Sequence, residues 1–319
     1  MSLQPILKNY PIRNSESEKE AFRAWAVAQA EDAGVPAAVE TLGEHRNIVM
    51  GDLENARVLF TAHYDTPKRA LFPNLMLPTH RALAVAYQFA VLMPIIALGL
   101  LAFHLVLGGD LGRRAPAALA FMVVYYGLWF LMTRAGKNRS NANDNSSGVA
   151  AVMMLLRALP APSREGVAFV LFDNEEKGKR GSKAFAKAHT SLKESALCIN
   201  LDCIGHGKHL LAVVSEQAMA GKAYPALEGA LQNVPGMQTV FLNHRHAKLN
   251  SDQMHFRHSV GLAACLKSRR GLYYTPRIHT SRDTIADDSN IAAISDALRT
   301  FCESNACRSE RDMAMLPRR

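Results

Sequence analysis

The residues most able to do chemistry are acids and imidazoles that follow short apolar runs. Phe172-Asp173-Asn174-Glu175-Glu176 comes directly after Val167 to Phe172, a run that reads as a buried strand. Ligands of open α/β sheets bind at the carboxyl ends of strands. Adjacent side chains leave an extended or turning backbone in different directions. One carboxylate of the pair can therefore bind a metal while its neighbour faces water or substrate, as metal-assisted hydrolysis requires. Taken alone, the same residues also fit a solvated acidic turn running into Lys177, Lys179 and Arg180. His63 and Asp65 end another apolar run, Ala56 to Ala62, and share a strand face, so one can ligate and the other orient it. Asp144 lies in the polar turn Asn141 to Gly148, just before a helix, where an ordinary N-cap is the simpler reading. Asp202 follows the strand Ala196 to Leu201, and His279 lies in Ile278 to Thr284. Two histidines and several carboxylates without cysteine suit a catalytic zinc site. The set is large enough for two ions with one carboxylate shared and one left over as a base. Two metals about 3.5–4 Å apart can hold a bridging hydroxide and polarise a carbonyl.

These residues need a scaffold, and the rest of the chain supplies one. Ser15 and Glu18 form a capping-box pattern before a helix to about Asp32, with Phe22, Trp25, Ala26 and Ala30 on its apolar face. Strands are expected at Ala37 to Leu42, Asn47 to Met50, Leu210 to Val214 and Gly261 to Leu266. Helices are expected at Val149 to Leu159, around Ser182 to His189, at Tyr224 to Gln232, from Ser251 through Arg257, and from Ser289 to Asn305, with a frayed tail from Ser309. Strands alternating with helices imply an α/β fold with a mixed, mostly parallel central sheet covered by helices.

Between Thr66 and Asn138 the composition changes. Residues 82–109 and 115–133 contain no Asp, Glu, Lys or Arg, and the turn Gly108 to Arg114 separates them. Stretches of 28 and 19 residues are long enough to cross a bilayer. A membrane pair is one expectation; a buried or lid-like hairpin, or an oligomer contact, is the other. The flanks carry Lys68, Arg69, Arg81, Arg134, Lys137 and Arg139, whereas the turn carries Arg113 and Arg114 beside Asp110. The positive-inside rule then leaves the main domain and both termini in the cytoplasm.

The chain has 319 residues, enough for one large domain or two small ones, and a formal net charge of +9. No run of five basic residues or basic-aromatic interleaving accompanies that charge, which argues against nucleic acid as a partner. Cys198, Cys203, Cys265, Cys302 and Cys307 are odd in number and form no CxxC pair, so reduced thiols are expected. The first ten residues lack the apolar core of a secretory signal.

In order and wording, five segments resemble the family-28 zinc metallopeptidases, which are co-catalytic aminopeptidases. They are Thr61 to Thr66, Ala142 to Gly148, Phe172 to Glu176, Asn200 to Gly205 and Ile278 to Thr284; Ser251-Asp252 with Phe256 is a weaker sixth. The resemblance implies that His63 and Asp202 bind one zinc, that Glu176 and His279 bind the other, and that Asp144 bridges them. It makes Glu175 the general base and gives Asp65 the task of orienting His63. Tyr273 or Tyr274 is a candidate for steadying the oxyanion, and Asp283 is expected to be structural. The cofactors implied are two Zn2+, with other divalent metals able to substitute. One departure from the family is the 80 residues between His63 and Asp144, where most members have a short loop.

Residues 1–74 and 135–319 are thus expected to form a single metallopeptidase domain, interrupted by the apolar hairpin at 75–134. The expected partners are a peptide substrate and, through residues 82–133, the cytoplasmic membrane, with the catalytic domain on its cytoplasmic side; a plainly cytoplasmic protein is the alternative. A glutaminyl cyclase-like acyltransferase and a non-catalytic membrane binding protein remain the competing functions. Oligomeric state and side-chain preference stay open.

Overall fold

The computed structural model describes residues 2–72, 74–133 and 136–304. Arg134, Cys307, the expected helix end at Asn305 and the tail from Ser309 lie outside the described residues. The strands are β1 (Ala37–Leu42), β2 (His45–Gly51), β3 (Val58–His63), β4 (Val167–Phe172), β5 (Leu197–Leu201), β6 (His209–Val214), β7 (Gln238–Asn243), β8 (His258–Lys267) and β9 (Tyr273–Tyr274). The helices are α1 (Gln4–Asn9), α2 (Glu16–Asp32), α3 (Arg81–Leu107), α4 (Arg114–Thr133), α5 (Gly148–Ala158), α6 (Arg180–Ala188), α7 (Thr190–Ser195), α8 (Glu216–Met219), α9 (Tyr224–Gln232) and α10 (Asp288–Glu303).

The sheet runs β1-β2-β4-β3-β5-β8-β6-β7, with β9 on β8. Its middle, β4-β3-β5-β8, is parallel throughout, and antiparallel pairs flank it on both sides. Every residue of β3, β4 and β5 is buried, as the unbroken apolar runs of a sheet covered on both faces demand. Alternate residues feed two cores. Val58, Phe60, Val167, Phe169 and Ile199 join the core under α2, α5 and α10, and Leu59, Ala168, Val170 and Cys198 join the core under α6 and α7.

At the start of α2 the Glu18 carboxylate accepts the Ser15 N–H at 2.8 Å, which satisfies a donor the helix cannot. The helix expected through Arg257 is a single turn, Asp252–His255. α1 and β7 are not among the expected elements; β7 is an edge strand that, among the described residues, pairs with β6 through the short run Thr239-Val240-Phe241-Leu242.

α3 and α4 form the expected hairpin. Gly99 lets the helices approach closely, since a Cβ there would lie 2.9 Å from the Phe121 ring. Both are long and apolar enough to cross a membrane, and little of their surface is buried against the rest of the chain. Phe89, Leu105, Val123 and Tyr126 are each at least 60% exposed, so the hairpin is no core element of the α/β domain.

Candidate active site

Three neighbouring parallel strands deliver the first residues to one rim of the sheet. β3 ends in His63, the turn after β4 carries Glu175 and Glu176, and β5 is followed by Asp202. Left-handed backbone is uncommon in residues other than glycine, yet Asn174 (φ 54°), Cys203 (φ 60°) and His279 (φ 64°) all adopt it here. Such conformations persist where the surroundings over-determine them, and the turn after β4 shows how. Lys19 Nζ on α2 reaches Asp173 Oδ1 at 2.5 Å and Asn174 Oδ1 at 2.8 Å, all buried. The Asp65 carboxylate accepts the backbone N–H of Glu175 at 3.0 Å and of Glu176 at 3.2 Å.

Asp65 therefore does more than orient an imidazole. His63 Nδ1 lies 3.2 Å from the Asp65 backbone carbonyl and 3.6 Å from its carboxylate, so the main chain makes the shorter contact. Asp65→Ala strands two N–H groups, at about 1–3 kcal/mol of stability. It should also weaken metal affinity by about 10–100-fold, the usual scale for residues supporting a ligand. Titration of the purified variant with zinc checks this, and wild-type affinity would refute the role.

Asp144 is no N-cap. It sits in extended backbone (φ −109°, ψ 98°) before a cis peptide to Asn145, and Asn145 Oδ1 instead accepts the first helical N–H, from Gly148, at 3.1 Å. The turn is clamped from outside. Asp283 accepts the N–H of Asn143 at 3.1 Å and of Asp144 at 3.0 Å. Buried Arg13 hydrogen-bonds the Tyr64 carbonyl and donates to Ser146 Oγ at 2.9 Å, tying the segment after His63 to the one after Asp144.

The consequence is a shared carboxylate. His63 Nε2 lies 3.3 Å from Asp144 Oδ1 and 3.7 Å from Asp202 Oδ1. His279 Nε2 lies 3.2 Å from Asp144 Oδ2 and 3.4 Å from Glu176 Oε2. His63, Asp144 and Asp202 form one group whose ligand atoms all lie within 4.8 Å, and Asp144, Glu176 and His279 form another; His63, Glu175 and Glu176 meet the same measure. Glu176 Oε1 and Asp202 Oδ1 are buried with no hydrogen-bond partner. Buried polar atoms seldom go unpaired, and oxygens and ring nitrogens converging in this way are the donor set of a divalent cation.

The electrostatics agree. Burial pushes the Glu176 carboxyl up to about 8, with nearby Asp144 adding to the effect against His279. Burial, helped by Asp252, Glu176 and Asp202, holds Glu175 well above the usual carboxylate range. Burial alone would lower His279, but Glu176 and Asp144 overcome it and raise the imidazole to about 10. His63 is raised likewise by Asp144, Asp202 and Asp65 against burial. Burial would raise Asp144, yet the two imidazoles hold it below the ordinary range. Acids crowded beyond the charge of their two imidazoles call for added cations.

A cleft of about 370 Å³ opens over this floor; His63, Asp144, Glu175, Glu176, Asp202 and His279 all line it. Tyr273 and Tyr274 do not. They sit on β9, beside Leu266 and Lys267 of β8, and the Tyr273 ring packs against His209 and Lys267. Both tyrosines thus lie beside β8, apart from the residues that line the cleft. Asp252, singled out only weakly by its motif, is fully buried, accepts from Ser182 Oγ at 2.5 Å, and is pushed up to about 7 by burial, with Asp65 and Asp202 adding. Sequence reasoning missed Arg13 and Lys19; nothing in the sequence distinguishes them from other basic residues near a helix start.

Fold and site together define a hydrolase-type α/β domain with a metal-binding rim. Residues 132–302, just over half of the chain, match peptidase family M28, and the chain belongs to that family. The matched stretch contains Asp144, Glu175, Glu176, Asp202 and His279; His63 and Asp65 lie before it. No curated protein matches the chain at a significant level. Among solved structures, it is similar to the LapA aminopeptidase of Legionella pneumophila (TM-score 0.61, 12% identity, 97% of this chain and 72% of that one). It is also similar to a glutaminyl cyclase of Porphyromonas gingivalis (0.57, 15%, 95% and 96%). A third is a Zn-dependent exopeptidase of Parabacteroides distasonis (0.57, 16%, 94% and 96%). At such identities the likeness concerns the fold.

Proposed function

We propose that this M28 peptidase is an aminopeptidase that uses two divalent ions, zinc in the first instance, and is anchored in a membrane by α3 and α4. The observation that carries the reading is Asp144, whose two oxygens face different imidazoles, with Asp202 and Glu176 completing two three-ligand groups. His63, Asp144 and Asp202 would hold one ion; Glu176, His279 and Asp144 would hold the other. Bound there, the ions supply Lewis acidity toward a carbonyl and lower the pKa of the attacking water.

The remaining work falls to the chain. Glu175 lines the cleft and is left over from both groups, so it takes a proton from the attacking water and hands it to the departing amine. Asp65 fixes the backbone of Glu175 and Glu176, and Asp283 fixes that of Asp144. The carboxylates of the floor receive the free α-amine of the substrate, which makes the activity an exopeptidase one.

Hydrolysis of aminoacyl-anilides that chelator abolishes and zinc restores supports this reading. Pyroglutamate formed from a glutaminyl peptide, without anilide hydrolysis, would replace it with a cyclase; inactivity toward both would leave a binding protein. For the anchor, the support is the apolar surface that α3 and α4 expose along their length; for a catalytic domain on the cytoplasmic side, it is the basic residues that flank the pair, by the positive-inside rule. Release of the protein from membranes by carbonate would remove the anchor.

A further inference from the structure

The cleft is not built by the α/β domain alone. Arg81, Ala84 and Gln88 of α3 line it, and their i, i+3, i+7 spacing puts them on one face of the helix. A long apolar helix with little of its surface buried is thus also a wall of the catalytic cleft.

Its depth follows from the hairpin. α4 has 20 residues, about 30 Å, which matches the hydrocarbon core of a bilayer. Gly99 packs on Phe121, so the two helices run antiparallel in fixed register from the turn after Leu107. In that register the far end of α4 is level with about residue 88 of α3. Residues 81–87 therefore project beyond α4 toward the catalytic domain, by about 10 Å at 1.5 Å per residue. With the hairpin across a bilayer, that distance would span the headgroup layer and put Arg81 at its outer edge.

The segment leading into α3 is stitched to the catalytic loops. Ala70 N–H donates to the His279 carbonyl at 2.7 Å and Asn74 N–H to that of Ile278 at 3.2 Å; the Thr275 and Lys248 N–H groups donate to Met76 and Pro78 at 3.1 and 2.9 Å. Leu71 and Phe72 in this segment are 60% and 51% exposed, and Leu71 N–H donates to the Met132 carbonyl at the end of α4. An exposed apolar pair thus sits level with the end of α4, where the hydrocarbon boundary would fall. Arg81 and Lys248, both exposed cleft residues, supply positive charge toward anionic headgroups.

We propose that the cleft opens within the headgroup layer, with the first two turns of α3 as its membrane-side wall, and that its substrates are the N-termini of peptides held at the membrane surface. The apolar side of the cleft, Leu75, Met76, Leu77, Pro78 and Ala84, would take the residues that follow the scissile bond. This inference rests on the aminopeptidase and membrane readings above.

The test uses the full chain, loaded with zinc, in vesicles of phosphatidylcholine and phosphatidylglycerol. Three peptides share a leucine N-terminus. One carries a C-terminal hexadecyl chain after a spacer of about four residues, one the same chain after about twenty, and one no chain. The expected kcat/KM is at least about tenfold higher for the short spacer than for the long one. Local concentration alone favours both anchored peptides; with enzyme and peptide confined to one surface layer whose thickness grows as the square root of spacer length, it declines only about twofold from the short spacer to the long one. Ala84→Trp, checked for unchanged zinc content, should raise KM for the short-spacer peptide at least about fivefold with kcat little altered.

Equal kcat/KM for the two spacers, or a preference for the chain-free peptide, overturns the inference while both underlying readings stand. An unchanged KM in the Ala84 variant overturns the wall. Failure to hydrolyse any of the three peptides overturns it through the peptidase reading. Extraction of the protein from the vesicles by carbonate overturns it through the membrane reading.

Discussion

Glu175→Gln is expected to lower kcat by about 10²–10⁴-fold, the range that positioned proton transfer contributes, while both ions stay bound. Glutamine keeps the volume of the side chain and one of its acceptors but cannot take a proton. Burial and neighbouring carboxylates raise the Glu175 carboxyl above its ordinary range, the direction a general base working near neutral pH needs. Activity limited by this group rises with pH as the carboxyl ionises, so the acid limb of kcat/KM should vanish in the variant. The metal arm of the measurement is as informative as the kinetic one. Glu175 also falls within ligand distance of His63 and Glu176. If the purified variant loses an ion by elemental analysis, Glu175 is a ligand and the proton acceptor must be sought elsewhere. If metal and turnover both survive, the proposed role is wrong.

What could be read from residues, and what could not, divides along physical lines. The buried strands β3, β4 and β5 announce themselves as short apolar runs, and each is followed by a residue able to bind a metal, so His63, the Glu175-Glu176 pair and Asp202 were legible from local pattern. Asp144 was legible only through its neighbours; alone it resembles an N-cap, and coordinates were needed to show Asn145 taking that task. Tyr273 and Tyr274 were named for nearness in sequence to His279, but pairing with β8 fixes their strand, and four residues of turn separate it from the imidazole. Asp65 lies beside His63, as their spacing on the strand suggests, yet its bonds to the Glu175 and Glu176 amides run between residues 110 and 111 positions apart and leave no local trace. The same holds for Arg13, whose burial between two catalytic segments is a tertiary fact. The hairpin was legible from composition, because length and lack of charge are local properties. Its contribution of Arg81, Ala84 and Gln88 to the cleft was not.

Removing the ions should destabilise the protein, and more so as pH rises. One site filled at a hundredfold excess over Kd contributes about 2.7 kcal/mol. At about 2–4 °C per kcal/mol, that is a fall in Tm on the order of 5–10 °C for each ion taken away by chelator. The pH dependence follows from the protons that replace them. Without metal, Glu176 is pushed up to about 8 and His279 to about 10, both above their ordinary values of 4.5 and 6.5. A group raised in the folded state contributes stability that is complete below its unfolded value and is lost as pH climbs through the folded one. Glu176 thus loses its contribution between about pH 4.5 and 8, and His279 between about 6.5 and 10. Asp144, held low, acts only at more acidic pH, where lowering the pH removes its contribution. Metal binding needs Glu176 ionised and His279 neutral, so it releases protons and tightens over the same interval. The difference in Tm between zinc-loaded and chelated protein, followed by scanning fluorimetry in detergent, should therefore widen from pH 6 to pH 8. A difference that stays constant or narrows would mean that the ions are held by other residues, because only at this rim do cations stand in for the protons of Glu176 and His279.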